Sequence, residues 1–272
     1  MKRTVKRALA LAMGLILLVS LMMPQALASS SGKLDSNLTW KVDGSTLTIS
    51  GKGAMADFDT GEPPWEKAGT PTYKIKKIVI KEGVTSLCDY AFDTYEQVNS
   101  ISLPRSLKKL GFMALNGTNL KEVKVAKGSK YFSTKGGVLF NRKKTTLIYY
   151  PTQKKGSSYA VPSGVKTIAA GAFCGAMDIY SANPHLKKLV IPKSVKTIKR
   201  SAFSETKITT FKFLGTNPKI EKGAFYGANA KILYPKNHRK CWKPVIEALK
   251  KEYTNSGDED DAETLLTFEC FS

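Results

Sequence analysis

Histidine is almost missing from this chain: His185 and His238 are the only two in 272 residues. They lie in unrelated segments, so neither a multi-histidine metal site nor a Ser-His-Asp triad can be assembled from the sequence. His238 stands three residues before Cys241, a spacing that no thiol chemistry requires, and a histidine in a capping loop is the simpler reading. Cysteine is scarce: the four residues are Cys88, Cys174, Cys241 and Cys270, with no C-x-x-C pair. No G-x-S-x-G elbow occurs. Acidic residues number 22 against 43 Lys and Arg. Beyond the first two dozen residues there is no long apolar run, so nothing further along is expected to cross a membrane. No enzyme, metal or cofactor is expected from this inventory, and the functional question moves from a pocket to a surface.

The N-terminus is built as an export signal. Lys2, Arg3, Lys6 and Arg7 precede an apolar core from Ala8 to Met23, and Ala26-Leu27-Ala28 fits a small-residue cleavage site. The run is short for a membrane anchor. No cysteine follows the site to carry a lipid, and no sorting signal is read at the C-terminus. The mature chain from Ser29 keeps 39 basic and 22 acidic residues, a net charge of +17. Such a charge favours anionic partners, yet no nucleic-acid module is visible. Export permits disulfides. Cys88 and Cys174 sit in or beside repeat turns, where a small thiol packs well. Cys241 and Cys270 share the C-terminal segment and are the one pair considered for a bridge; free thiols are the alternative for all four.

One phrase recurs down the chain: an apolar strand, often Pro, then V-x-x-I and an Ala-Phe pair. It reads Val84-Thr-Ser-Leu87 with Ala91-Phe92, Val165-Lys-Thr-Ile168 with Ala172-Phe173, and Val195-Lys-Thr-Ile198 with Ala202-Phe203. Ile220 with Ala224-Phe225 is a shorter copy, and Leu107-Lys-Lys-Leu110 with Ala114-Leu115 a degenerate one. A repeat of fixed period decides the architecture, because one unit cannot close a core alone and neighbours must stack. The strands end at 80, 103, 125, 161, 191 and 213. Most steps are therefore 22 or 23 residues, and the two longer ones mark insertions. The insertion at 126–158 reads as an extra hairpin through Gly136-Gly137 and Thr146–Pro151; the one at 174–185 lengthens a loop.

The expected organisation is a signal at 1–28, a disordered lead and N-terminal β cap at 29–73, a solenoid at 74–235 and a C-terminal cap at 236–272. The N-terminal cap is a hairpin over 38–50 with Trp40 and Trp65 beneath it. The C-terminal cap is a short helix over Pro244–Tyr253, an acidic loop at 257–263 and a closing strand at Thr264–Phe271. Asp258, Asp260 and Asp261 are oxygen donors but lack EF-hand spacing, so the loop is read as a solvated turn.

Stacking places Phe92, Phe173, Phe203 and Phe225 in one buried aromatic ladder. In each strand the residue between the last two apolar positions faces away from the core. Val79, Ser102, Lys124, Ala160, Val190 and Lys212 should form one outward column, the candidate ligand face. Their outer neighbours are Lys77, Ser100, Glu122, Ser158, Lys188 and Thr210. The column has no aromatic stack, which argues against carbohydrate or base stacking on it. A basic patch is expected from Lys187, Lys188, Lys193, Lys196, Lys199 and Arg200.

The segments Ile191-Pro-Lys-Ser-Val-Lys-Thr-Ile-Lys-Arg-Ser-Ala-Phe203 and Val161-Pro-Ser-Gly-Val-Lys-Thr-Ile-Ala-Ala-Gly-Ala-Phe173 resemble the unit of the BspA-like leucine-rich repeat family. Thr39-Trp40, the run from Leu47 to Met55, and Pro64-Trp65 are similar to the cap of its secreted members. The resemblance spans roughly 38–235. It implies a strand-rich, right-handed α/β-type repeat solenoid, exported or held at the cell wall, serving adhesion or protein binding without catalytic residues. The partner it implies is a protein; the charge adds an anionic glycan or wall polymer at a bacterial or host surface as the alternative. No specific nucleic acid and no cofactor are implied, and a monomer is expected.

Overall fold

The computed structural model describes residues 29–35, 37–58, 62–174, 182–254 and 265–272. The export signal, most of the 174–185 loop and the acidic loop at 257–263 lie outside the described residues.

The chain opens with strands β1 (Ser30–Lys33), β2 (Leu38–Asp43) and β3 (Thr46–Gly51), followed by the two-residue β4 (Gly53–Ala54). Alternation dictates the β2–β3 hairpin: Leu38, Trp40, Val42, Leu47 and Ile49 point inward and are buried, while the residues between them face out. The lead at 29–36, expected to be disordered, instead supplies β1, which pairs antiparallel with β2 from Ser30–Val42 to Lys33–Thr39. Gly32 lies against the Trp40 indole, so backbone pairing and a close approach do the work that apolar side chains do elsewhere. Beneath the hairpin a one-turn helix, Pro64–Lys67, buries Trp65. The Trp65 Nε1–H donates to the Tyr95 hydroxyl, tying this segment to the first repeat.

From here each coil contributes to two rows of strands. The first row holds the apolar-x-apolar strands: β5 (Lys77–Ile80), β7 (Ser100–Leu103), β9 (Glu122–Val125), β13 (Ser158–Ala160), β15 (Lys188–Ile191), β17 (Thr210–Phe213) and β19 (Asn229–Pro235). The second holds the V-x-x-I steps: β6 (Val84–Leu87), β8 (Lys109–Leu110), β14 (Thr167–Ile168), β16 (Thr197–Ile198) and β18 (Lys219–Ile220). Within each row the paired strands are parallel, because every coil climbs in the same direction. The fold is strand-rich with few helices.

The insertion is more than a hairpin. It forms a meander of β10 (Phe132–Lys135), β11 (Val138–Asn141) and β12 (Thr146–Tyr149), antiparallel throughout, whose last strand then pairs parallel with β14. β12 thus occupies the V-x-x-I place of its own coil. Tyr150 follows it, and its backbone N–H donates to Ala172 at 2.8 Å, as Phe173 does to Ala202 and Phe203 to Ala224. The 36-residue step is therefore one coil whose return path carries a two-strand excursion. Gly137 makes this possible: its φ is +79°, and a Cβ there would meet the Glu122 Cβ at 2.7 Å, where the meander crosses β9.

The meander also divides the core. Leu139 and Tyr149 pack with the N-terminal coils; Val138, Phe140, Leu147 and Tyr150 pack with the C-terminal ones. The expected ladder is corrected accordingly. Phe173, Phe203 and Phe225 stack at ring separations of 5.6 and 5.0 Å, and Tyr150 extends the stack at 5.0 Å from Phe173. Phe92 is buried on the other side of the meander, 5.5 Å from Tyr95. Across the divide, the Asn116 side-chain amide donates to the carbonyls of Gly171 and Cys174 at 3.0 and 3.1 Å.

At the C-terminal end the helix spans Arg239–Thr254, beginning five residues earlier than the sequence suggests, with Pro244 inside it. Trp242 is its anchor: fully buried, 4.7 Å from Phe213 and 5.6 Å from Tyr234, with Nε1–H donating to the Gly215 carbonyl. Strand β20 (Leu265–Phe271) then lies parallel along β19. Cys241, exposed, and Cys270, half-buried, are separate free thiols, so the bridge considered between them is not formed. One is on the helix and the other on β20, opposite Tyr234.

Candidate interaction surface

The first-row strands place the outward column in register. Thr48 lies beside Val79, Ser102 beside Lys124, and Ala160, Val190 and Lys212 run side by side. Period-2 alternation makes this unavoidable once the flanking apolar residues are buried. Val79, Val190 and Lys212 are half-buried, whereas Ser102, Lys124 and Ala160 are exposed. The column continues past the sequence reading to Leu233 on β19 and Glu269 on β20. β20 was legible as a strand, but nothing in its composition says that it extends this row.

Two breaks interrupt the column. No ladder joins β5 to β7 among the described residues, and the meander separates β9 from β13. The N-terminal part forms a cleft of about 390 Å³ lined by Val79, Ser102 and Lys124 together with Lys77, Lys81 and Glu82. Two of its charges are paired, Lys124 with Glu122 at 3.1 Å and Glu82 with Arg105 at 3.4 Å. Lys212, in the C-terminal part, lies 4.4 Å from the Phe271 ring, a cation–π contact that holds its chain along the face.

The six-residue basic patch does not form as one surface. Lys187 and Lys188 stand at the start of β15 in the first row, while Lys196, Lys199 and Arg200 flank β16 in the second. Lys193 lies in the turn between them, against Gly215. Lys199 is taken up by Glu221 at 2.7 Å. The Arg200 guanidinium sits 4.3 Å from the Phe112 ring, where it borders a cleft of about 330 Å³ above Ala169 and Ala170. Proximity in sequence misled here because a coil turns these residues onto different faces within a few positions.

The scarce carboxylates are spent on joining coils. Glu82 accepts the backbone N–H groups of Arg105 and Ser106. Asp57 accepts from Asp89, Asp89 from Phe112, and Glu221 from Arg200. The Arg105 backbone N–H holds the Glu82 carboxyl below the ordinary carboxylate range, and the Lys199 ammonium does the same for Glu221. Asp57, Glu66, Asp89 and Asp93 line a cleft of about 490 Å³ between the N-terminal segment and the first coil, an acidic concavity that the sequence did not announce. Burial pushes the Cys88 and Cys174 thiols up to about 12, which leaves both as packing groups. His238 lies in the 3₁₀ turn before the helix that carries Cys241, and no hydrogen bond joins them among the described residues. No described helix is long and apolar enough to cross a membrane.

Comparison with known proteins bears on this surface through the fold. The family described as BspA type leucine rich repeat region matches in six copies, over residues 70–181 and 148–231. No curated protein sequence matches. Among solved structures, a leucine rich cell surface protein from Faecalibacterium prausnitzii is similar with a TM-score of 0.53 at 20% identity, covering 71% of this chain and 54% of that one. A leucine-rich repeat protein from Eubacterium ventriosum is 19% identical, with a TM-score of 0.31 and coverage of 77% and 79%. The pneumococcal vaccine antigen PcpA is 17% identical, with a TM-score of 0.37 and coverage of 88% and 98%.

Proposed function

The chain belongs to the BspA-type leucine-rich repeat family, and from that premise we propose that it is an exported, non-enzymatic interaction module that holds a protein at the bacterial surface. The observation that carries this reading is the outward column, a solvent-facing row in register from Ala160 to Glu269. A repeat scaffold presents an extended face where an enzyme presents a cleft. The N-terminal cluster of basic residues, apolar core and small-residue site supplies export, the β1–β3 segment and the Arg239–Thr254 helix with β20 close the two ends, and the solenoid is right-handed. The neighbour from F. prausnitzii, a cell surface protein by description, supports the location.

The test is binding of the mature protein, 29–272, to a panel of purified host-matrix and bacterial-surface proteins by surface plasmon resonance at low and high salt. We expect salt-resistant binding to one of them, weakened at least tenfold by Val190→Asp or Lys212→Glu, a loss of about 1.4 kcal/mol. Binding that both variants leave unchanged sinks the assignment of the face.

A further inference from the structure

A second feature lies beside the column. Where strands β15, β17, β19 and β20 begin, a groove of about 480 Å³ is lined by Lys187, Lys207, Lys231, Thr206, Asn229 and Thr267. The fold brings these together from four coils. Lys187 precedes β15 and donates its backbone N–H to Ser157; Thr209 donates in turn to Lys187, and Lys231 to Thr209, each at 2.9 Å. Lys207 rises from the turn entering β17. Lys188, one position on from Lys187, is aligned with Lys231 through Thr210. Neighbouring strands stand about 4.8 Å apart, so the bases of Lys187 and Lys231 are separated by roughly 10 Å with Lys207 between them.

What sets this groove apart is convergence: lysines from three coils meet in one concavity. Lys187 and Lys207 make no ion pair among the described residues. Among the described residues the carboxylates nearby are Glu269, 2.9 Å from Lys231 with both groups at least half exposed, and Glu205, packed against Gly227. An exposed pair of that kind is weak and readily exchanged. Apart from Gly227 and Ala230, the remaining lining is hydroxyl and amide, groups that donate to oxyanions. Lysine acts as a compact point charge that attracts polyanions with little geometric demand, whereas the arginine fork fixes the geometry of carboxylate and phosphate alike.

We propose that this groove is an oxyanion-binding site for the sulfate or phosphate groups carried along an acidic surface glycan. It is independent of the protein-binding face, and its test does not require that face to work. The probes are a heparin-derived hexasaccharide for sulfate and a glycerol-phosphate hexamer for phosphodiester, titrated into the mature protein by fluorescence anisotropy at several salt concentrations. The groove variant is Lys187→Gln with Lys207→Gln. The control is Lys166→Gln with Lys196→Gln, which removes the same charge beside the second row. Both pairs are exposed, and a thermal melt checks that each variant folds. Loss of two cationic contacts should weaken binding about tenfold or more and lower the slope of log K against log salt by roughly two, while the control changes affinity less than about threefold. The probe that responds identifies the source of the oxyanion. Equal losses in the two variants, or binding of neither probe, overturn the proposal: the first makes net charge the only cause, and the second leaves the groove without a ligand of this class.

Discussion

Residues 29–125 carry 13 basic and 11 acidic side chains, whereas residues 126–254 carry 26 and 5. The same boundary separates two ways of holding coils together. Before the meander, the first row is broken between β5 and β7, and carboxylates from Asp57, Glu82 and Asp89 cap the next coil's backbone. The core there is mixed, with Trp40, Trp65 and Tyr95 held partly by a buried hydrogen bond. After it, five first-row strands run as one sheet over a ladder of stacked rings, and among the described residues the carboxylates that accept from a coil's backbone are Glu221, from Arg200, and Glu252 of the C-terminal helix, from Gly223. Where the repeat is regular, backbone ladders and apolar side chains carry most of the stacking, and fewer acidic joints are used. That frees the surface to become strongly basic without loss of structure.

The comparison breaks most sharply in the ladder. Phe203 touches Phe173, Phe211 and Phe225, so Phe203→Ala should cost about 3–5 kcal/mol, read from a denaturant midpoint. A much smaller loss would mean that the C-terminal half does not depend on its rings. Next in size is the joint between the halves. Asn116→Ala removes two buried hydrogen bonds; the Gly171 carbonyl keeps the Cys174 backbone N–H, while the Cys174 carbonyl loses its partner among the described residues, a cost of about 1–3 kcal/mol. Cys88 and Cys174 lie in the two halves, and burial protects both thiols. Labelling them across a urea series should give coincident midpoints in the parent and separate midpoints in the variant; coincidence in both would show that Asn116 is not the coupling. The smallest effect concerns pH. Glu221 has its folded pKa lowered by Lys199, so it contributes stability above the ordinary carboxylate value and loses it as pH falls through the folded one. The pair is partly in solvent, so Glu221→Gln should flatten the acid limb of the stability profile only slightly. A parent and variant with superimposable acid limbs would remove Glu221 from the account of how coils are joined.

Much of the fold is legible because the V-x-x-I and Ala-Phe phrases are direct statements of burial. The first-row strands, the outward column and the place of the insertion at 126–158 follow from them. What escapes has physical reasons. β1 reads Ser-Ser-Gly-Lys and β10 reads Phe-Ser-Thr-Lys; neither has apolar alternation, since each is held by backbone pairing to a better strand. Tyr150 is hidden as a ladder member because Thr146–Tyr150 replaces the usual phrase with a polar-tipped ring. The helix start is masked by Pro244, which suggests a first turn although Trp242 anchors the helix before it. The basic patch fails because residues close in sequence are carried to opposite rows, while the groove at Lys187, Lys207 and Lys231 succeeds in space from residues spread over 45 positions.

Strand β11 is buried on both faces, with Leu139 turned to one core and Val138 and Phe140 to the other. It acts as a bulkhead. Each half meets a finished wall there, as if at a chain end. Coils can therefore be added to or lost from one side without reopening the other, and the length of the binding face can change while the meander stays where it is.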